Sequence, residues 1–331
     1  MSPGSFLDVL ASRFPKPMIP TALFADPLCQ QHDTGRGHPE APARFAAVLQ
    51  KLDRDEIAAK LTRLEPRDAL NEDLRLAHTP AYLDLAEREI AGGADQLSTG
   101  DTSVSPRSWD AARRAAGSGL AAVDAVLAGK VQRAFCVVRP PGHHASAGKG
   151  MGFCVVNNIA IAARHAQRRH GIARVLIVDW DVHHGNGTQD IFYRDGSVFV
   201  FNTHQSPWYP GTGRADETGD GEGRGTTLNC PLPAGSGRAE VFDAFERQLL
   251  PAVETFRPEL VMISAGFDSR IDDPLGQFRL TDEDFADLTR IVTGIAERHA
   301  HGRVVSLLEG GYNLAGLASA ASAHVRALAD L

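Results

Sequence analysis

A chain of 331 residues is long for one ordinary domain, yet α/β folds built on a large central sheet reach that size as a single unit. With 43% hydrophobic and 23% charged residues it has a globular make-up, which excludes disorder over most of its length. The formal net charge of −7 comes without any long basic cluster, only short pieces such as Arg113-Arg114 and Arg168-Arg169, so a nucleic-acid groove is not expected.

Four cysteines, Cys29, Cys136, Cys154 and Cys230, are spread without a CxxC pair. That is too sparse for a disulfide scaffold and agrees with a reducing compartment. Residues 1–20 hold no apolar run suited to a signal segment and are interrupted by Pro15, Pro17 and Pro20. No stretch of 18 or more apolar residues occurs, so the expectation is a cytoplasmic protein without a membrane partner.

In chain order, residues 91–106 form a long loop before a helix predicted over 108–127, which Gly117 and Gly119 weaken. An apolar run at 135–138 predicts a strand, and the Ala-rich stretch 157–170 predicts a helix ending at Gly171. Further strand-like runs lie at 175–178 and 198–201, followed by a Gly-rich loop at 211–225. A strand at 260–264 comes next. Thr281 with Asp284 then resembles a capping box, and Phe285, Leu288, Val292 and Ile295 recur along one helix face. A strand at 304–308 closes the series. The apolar runs are continuous rather than alternating, which points to a parallel sheet covered on both faces, and strands alternating with helices give an α/β layered fold.

Polar residues cluster just after these runs, where open parallel sheets bind ligands. Asp179-Trp-Asp-Val-His-His-Gly-Asn-Gly187 follows the run at 175–178. If that strand continues, Asp179, Asp181 and His183 project on one face, because side chains alternate with period two. An isolated Asp-x-His is more often a solvated turn, but the extension to His-His-Gly-Asn-Gly weakens that reading. Ser264-Ala-Gly-Phe-Asp268 adds a third carboxylate. Alone, Asp268 is as readily a helix cap; with Asp181 and His183 it completes a three-ligand set with room for water, as catalytic zinc requires.

Arg139-Pro-Pro-Gly-His-His144 places two histidines after a rigid turn. On their own these are more often surface groups than catalysts, but beside a metal they offer the proton acceptor and donor that hydrolysis needs. In Leu308-Glu-Gly-Gly-Tyr-Asn313, Gly310 and Gly311 permit a tight turn toward a ligand. Tyr312 is then either a core residue or a hydroxyl that donates to a developing oxyanion, and its neighbours favour the second.

The blocks RPPGHH, GFCVVNN, DWDVHHGNGTQDIF, YPGTG, SAGFD, DPLGQF and LEGGYN, in this order, resemble the histone deacetylase superfamily, and the Glu-Gly-Gly-Tyr form with His38-Pro39-Glu40 resembles its class II branch and bacterial relatives. The resemblance implies one α/β/α arginase-deacetylase domain over residues 1–331, around a mostly parallel eight-stranded sheet. It implies zinc held by Asp181, His183 and Asp268, with Fe²⁺ an alternative because the ligand set selects weakly. His143 and His144 would be the catalytic pair, His144 the general base and acid, His143 an electrostatic aid oriented by Asp179. Asn186 stands where class I members carry an aspartate. Tyr312 would polarise the scissile carbonyl. Gly152, Phe153, Tyr209 and Gly311 would contact substrate, with Leu275 at the mouth. A structural potassium would sit on Asp179, Asp181, His183, Asn202 and Thr203, although many relatives place a serine at the Asn202 position.

The implied activity is deacylation of an acylated amine, an acetyl-lysine peptide or a small acylamide, by metal-activated water, with a homo-oligomer possible. An acetylpolyamine amidohydrolase is the nearest alternative, yet residues 91–106 are short for the insertion that the resemblance implies for such relatives, and Leu275 stands where a polyamine-selective member places a glutamate. A two-metal ureohydrolase needs more ligands than the chain offers. A non-catalytic acyl-lysine binding module is disfavoured because the histidines, tyrosine and ligands are all present.

Overall fold

A computed structural model describes residues 19–331; the reading of the N-terminal segment as lacking a signal therefore lies largely outside the described residues. Eight strands, β1 (Thr21–Ala25), β2 (Thr62–Arg63), β3 (Arg133–Val137), β4 (Val175–Asp179), β5 (Val198–Gln205), β6 (Thr227–Leu232), β7 (Leu260–Ala265) and β8 (Val304–Leu308), form one sheet in the order β2-β1-β3-β8-β7-β4-β5-β6. Every pairing is parallel. Helices flank both faces, giving the three-layer α/β/α arrangement expected from the sequence.

The central strands β3, β4, β7 and β8 are buried at every residue, which is why they read as largely apolar runs without alternation. The strands that sequence patterning misses lie toward the edges. β2 is two exposed residues, and β6 (TLNCPL) mixes polar residues with a proline that an edge strand tolerates. β1 is buried but only five residues long and flanked by no functional motif.

The helices form where local signals predict them. Ser108–Leu127 is helical throughout. Here Gly117 is required by packing, since a Cβ on it would meet the Arg67 carbonyl oxygen at 1.8 Å. Asn158–His170 is capped by the Asn157 side chain, which accepts from Ala160 N at 3.0 Å, and ends at Gly171 with φ +69°. Asp282–His299 begins with the Thr281–Asp284 capping box.

The order β3-β8-β7-β4-β5 places the four motif-bearing strands side by side. Asp179 at the end of β4 pairs in register with Ser264 of β7 and Asn202 of β5. One difference from expectation is informative: β4 ends at Asp179, so Asp181 and His183 stand on the turn beyond it, not on a continuing strand. They converge on a turn that Val182 N ties to Asp268, just past β7, and not through strand alternation. No helix among the described residues is long and apolar enough to cross a membrane.

Candidate active site

Three groups converge at the carboxyl ends of β4 and β7. His183 Nδ1 lies 3.0 Å from Asp181 Oδ1 and 3.2 Å from Asp268 Oδ2, and all three residues are buried. The remaining carboxylate oxygens are held in place: Asp181 Oδ2 accepts from Gly310 N at 2.8 Å, and Asp268 Oδ1 accepts from Val182 N at 2.9 Å. Beyond that 3.2 Å approach of His183, Asp268 Oδ2 has no partner. Gly310 must be glycine, since a Cβ there would lie 2.0 Å from Asp268 Oδ2 and 2.6 Å from Asp181 Oδ2. Burial pushes the Asp268 carboxyl up to about 7, reinforced by Asp181. Two buried carboxylates share a single imidazole nitrogen between them, a donor set that a divalent cation satisfies better than the residues satisfy one another.

Beside this set stand His143 and His144, ring centroids 4.0 Å apart. His143 Nδ1 is 2.9 Å from Asp179 Oδ2, whereas His144 Nδ1 is 2.8 Å from Asn186 Oδ1. Burial opposes charge on both rings, but Asp179 and Asp181 overcome it at His143, whose pKa rises. At His144 burial prevails, aided by the neighbouring His143 and His183, and its pKa falls. The turn carrying both histidines is braced by Glu309, whose Oε2 accepts from Gly142 N at 2.7 Å and His143 N at 3.1 Å.

Tyr312 faces the same cavity. Its amide donates to Asp273 Oδ2 at 2.7 Å, and the Arg44 guanidinium lies 5.0 Å from its ring centroid. Arg44 is itself fixed, donating to Gly311 O at 2.6 Å and to Glu40 at 2.9 Å. Burial pushes the Tyr312 hydroxyl well above its ordinary range, so it is a neutral donor.

These groups lie at the base of a narrow cavity of about 210 Å³, lined by His144, His183 and Tyr312 below and by Gly152, Phe153, Tyr209, Trp208 and Leu275 above. Gly152 has φ +58°, and a Cβ on it would meet His144 Cδ2 at 2.3 Å, so only glycine lets this wall approach the histidine. The loop bearing Tyr209 is tied down through Thr212, whose Oγ1 is 2.7 Å from His184 Nδ1.

Among the residues singled out from sequence, Gly152, Phe153, Tyr209 and Leu275 line the cavity, while Gly311 does not. Gly311, at φ +120°, turns its carbonyl toward Arg44 behind the tyrosine. Asn202 and Thr203 are buried below the floor, where Asn202 Oδ1 accepts from Gly185 N at 3.1 Å. Sequence reasoning missed Asp101, Trp208 and Glu309. Asp101 Oδ1 accepts from Gly152 N at 2.7 Å and from the Tyr209 hydroxyl at 3.2 Å, and Trp208 Nε1 donates to Leu275 O at 2.8 Å. Asp101 is a lone carboxylate in a loop without periodicity, so nothing local marks it. Glu309 has a local signal, a carboxylate directly after the largely apolar strand Val304–Leu308.

Comparison with known proteins agrees with this geometry. A histone deacetylase domain matches residues 38–328. The chain is 40% identical over 311 residues to a histone deacetylase-like amidohydrolase of Pseudomonas aeruginosa, covering 88% of this chain and 82% of that one. It is 42% identical over 317 residues to polyamine deacetylase HDAC10 of Homo sapiens, covering 92% of this chain but 46% of the human protein. The crystal structure of the HDA15 HD domain superposes with a TM-score of 0.89 at 35% identity, covering 94% of this chain and 90% of that one. With the motif-bearing strands side by side and a match running through nearly all of them, the chain belongs to the histone deacetylase family.

Proposed function

We propose that the protein is a zinc-dependent amidohydrolase that removes acyl groups from acyl-lysine-like amides. The observation that carries this reading is the convergence of Asp181, His183 and Asp268 at the base of a narrow aromatic-walled cavity, next to a histidine pair and a tyrosine. Zinc bound there would supply a Lewis acid for the amide carbonyl and a lowered pKa for water, with Fe²⁺ as an alternative occupant of the same ligands.

The chain's own residues divide the remaining work. Asn186 Oδ1 can only accept from His144 Nδ1, so that nitrogen carries the proton and Nε2 is left free. His144 is thus a neutral base at the cavity floor, able to take a proton from attacking water and return it to the departing amine. His143, paired with Asp179, stays protonated and favours negative charge developing beside it. Tyr312 donates its hydroxyl to the carbonyl oxygen as that oxygen gains charge. Gly152, Phe153 and Tyr209 enclose the linear acyl-amine chain and exclude water. Asp101 positions two of those walls through Gly152 and Tyr209.

The chain is read as one catalytic domain. A structural potassium on Asp179, Asp181, His183, Asn202 and Thr203 belongs to the same proposal, and a stability dependence on K⁺ over Na⁺ tests it. A cytoplasmic location is supported by four cysteines that are all free and buried. A homo-oligomer remains part of the proposal and is read by light scattering.

A second reading, a polyamine deacetylase, is favoured by likeness to the human relative of that name. Against it, the residue at the mouth is apolar Leu275, and Asp101 is engaged with the cavity wall. The deciding experiment is a panel of acetyl-lysine peptides and acetylputrescine, assayed with and without chelator. Chelator-sensitive turnover with acetyl-lysine preferred supports the proposal. No cleavage of any acylated amine by zinc-loaded protein overturns it and leaves a binding module.

A further inference from the structure

We propose that Asp124, His165 and His170 form a second metal site, for a d-block divalent cation such as zinc or nickel, joining helices Ser108–Leu127 and Asn158–His170. The Nε2 atoms of both rings lie 2.7 Å from the same oxygen, Asp124 Oδ1. The ring centroids are 5.7 Å apart with planes at 74°, and one donor atom from each residue lies within 4.8 Å of the other two. None of the three lines the acyl-amine cavity, so the catalytic reading does not account for them.

The donor types choose the cation. Two imidazoles and one carboxylate suit borderline d-block ions, whereas calcium and magnesium prefer oxygen ligands throughout. An ion pair between the helices would need one histidine; the second ring aims the equivalent nitrogen at an oxygen already taken. A bound cation uses both Nε2 lone pairs and the carboxylate together.

The surroundings permit entry and completion of the coordination shell. The side chains of Asp124, His165 and His170 are 43%, 10% and 24% exposed, and Asp124 and His165 border an open groove of about 620 Å³. Among the charged groups along this groove, Arg67 is engaged by both oxygens of Asp73, at 2.6 and 3.2 Å. Glu72 adds negative charge, while Arg168 and Arg169 are exposed cations that favour water or a small anion as the fourth ligand. His170 is the last residue of its helix, set by the left-handed Gly171, so its ring sits where the chain turns away.

The site clamps one end of a helix whose other end supports the catalytic turn. Asn157 Nδ2 donates to Ala145 O at 2.9 Å and Asn158 Nδ2 to Pro140 O at 3.1 Å. Its role is structural, the fixing of this helix against Ser108–Leu127.

The test is calorimetric titration with Zn²⁺ of enzyme already holding one equivalent, with elemental analysis after dialysis. Wild type is expected to take a second equivalent. His170→Ala and Asp124→Asn, changes on partly exposed side chains of different helices, are expected to weaken it by about 100-fold or more, beyond the loss usual for an outer partner of a metal ligand. Copper substitution adds a second readout, two nitrogen couplings in the electron paramagnetic resonance spectrum of wild type and one in His170→Ala. A single equivalent in wild type, or a second of equal affinity in both variants, overturns the site. Deacylation by the variants is expected at the wild-type level, so this result is read separately from the catalytic proposal.

Discussion

His144 Nδ1 lies 2.8 Å from the amide oxygen of Asn186, while its neighbour His143 faces the carboxylate of Asp179 at the same kind of distance, 2.9 Å. The two adjacent imidazoles have opposite tendencies: His143 gains a proton readily because Asp179 and Asp181 outweigh its burial, whereas at His144 burial prevails, aided by His143 and His183, and the neutral Asn186 oxygen does not offset it.

Asn186→Asp tests that division of labour. A carboxylate at this distance favours imidazolium at His144, so the acidic limb of the kcat/KM profile should move up by about one pH unit or more. Activity at pH 6 then falls more than activity at pH 9. A profile whose acidic limb stays in place means that His144 is not the group that must be unprotonated.

Removing the Tyr312 hydroxyl addresses the opposite side of the cavity. Tyr312→Phe should lower kcat by roughly 10²–10³, the scale for losing one oxyanion donor, with a much smaller change in KM. The ring's place over Arg44 survives the change, so folding should not be affected. Turnover at the wild-type level in this variant removes the tyrosine from the mechanism.

Behind the tyrosine lies a buried charge network. Glu40 is wholly buried, 2.7 Å from Arg139 Nη2 and 2.9 Å from Arg44 Nη1. Burial alone pushes its carboxyl up, but Arg139 and Arg44 outweigh that and hold it down at about 2. A folded-state value below the unfolded one stabilises above the unfolded value, near 4.3, and that contribution fades as pH falls toward 2. Glu40→Gln leaves two buried guanidinium groups short of charge and should cost about 3–5 kcal/mol at pH 7. Urea unfolding at pH 7 and at pH 3 checks this: the gap between wild type and variant should shrink at the lower pH. An equal gap at both values contradicts the assignment.

The sequence revealed much of this because the core strands are covered on both faces. β3, β4, β7 and β8 read as largely apolar runs without alternation, and each is followed by its polar motif. Helix ends were legible for the same local reason, as at Gly171 and Thr281. Edge strands β2 and β6 were not, since one is two exposed residues and the other is stabilised by pairing with β5 rather than by its own composition. Asp101 was hidden because its importance lies in contacts 51 and 108 residues away, with Gly152 and Tyr209. Strand alternation does not account for the geometry of Asp181 and His183: they stand beyond the end of β4, on a turn tied to Asp268, three residues past β7, by the bond from Val182 N.

The mouth of the cavity offers a way to separate the two substrate readings. Leu275 lines the opening, and its carbonyl accepts from Trp208 Nε1 at 2.8 Å, so the backbone there is held whatever side chain it bears. Leu275→Glu would place a carboxylate at the rim without disturbing the floor. A second amine on the substrate, such as the distal ammonium of acetylspermidine, would meet that charge, while a neutral acetyl-lysine peptide would not. Rim ion pairs are worth up to about 1 kcal/mol, so the ratio of kcat/KM for acetylspermidine over the peptide should rise roughly fivefold, and the rise should shrink at high salt. An unchanged ratio would mean that the ammonium lies elsewhere, and that selectivity is set deeper, by the aromatic walls of Phe153 and Tyr209.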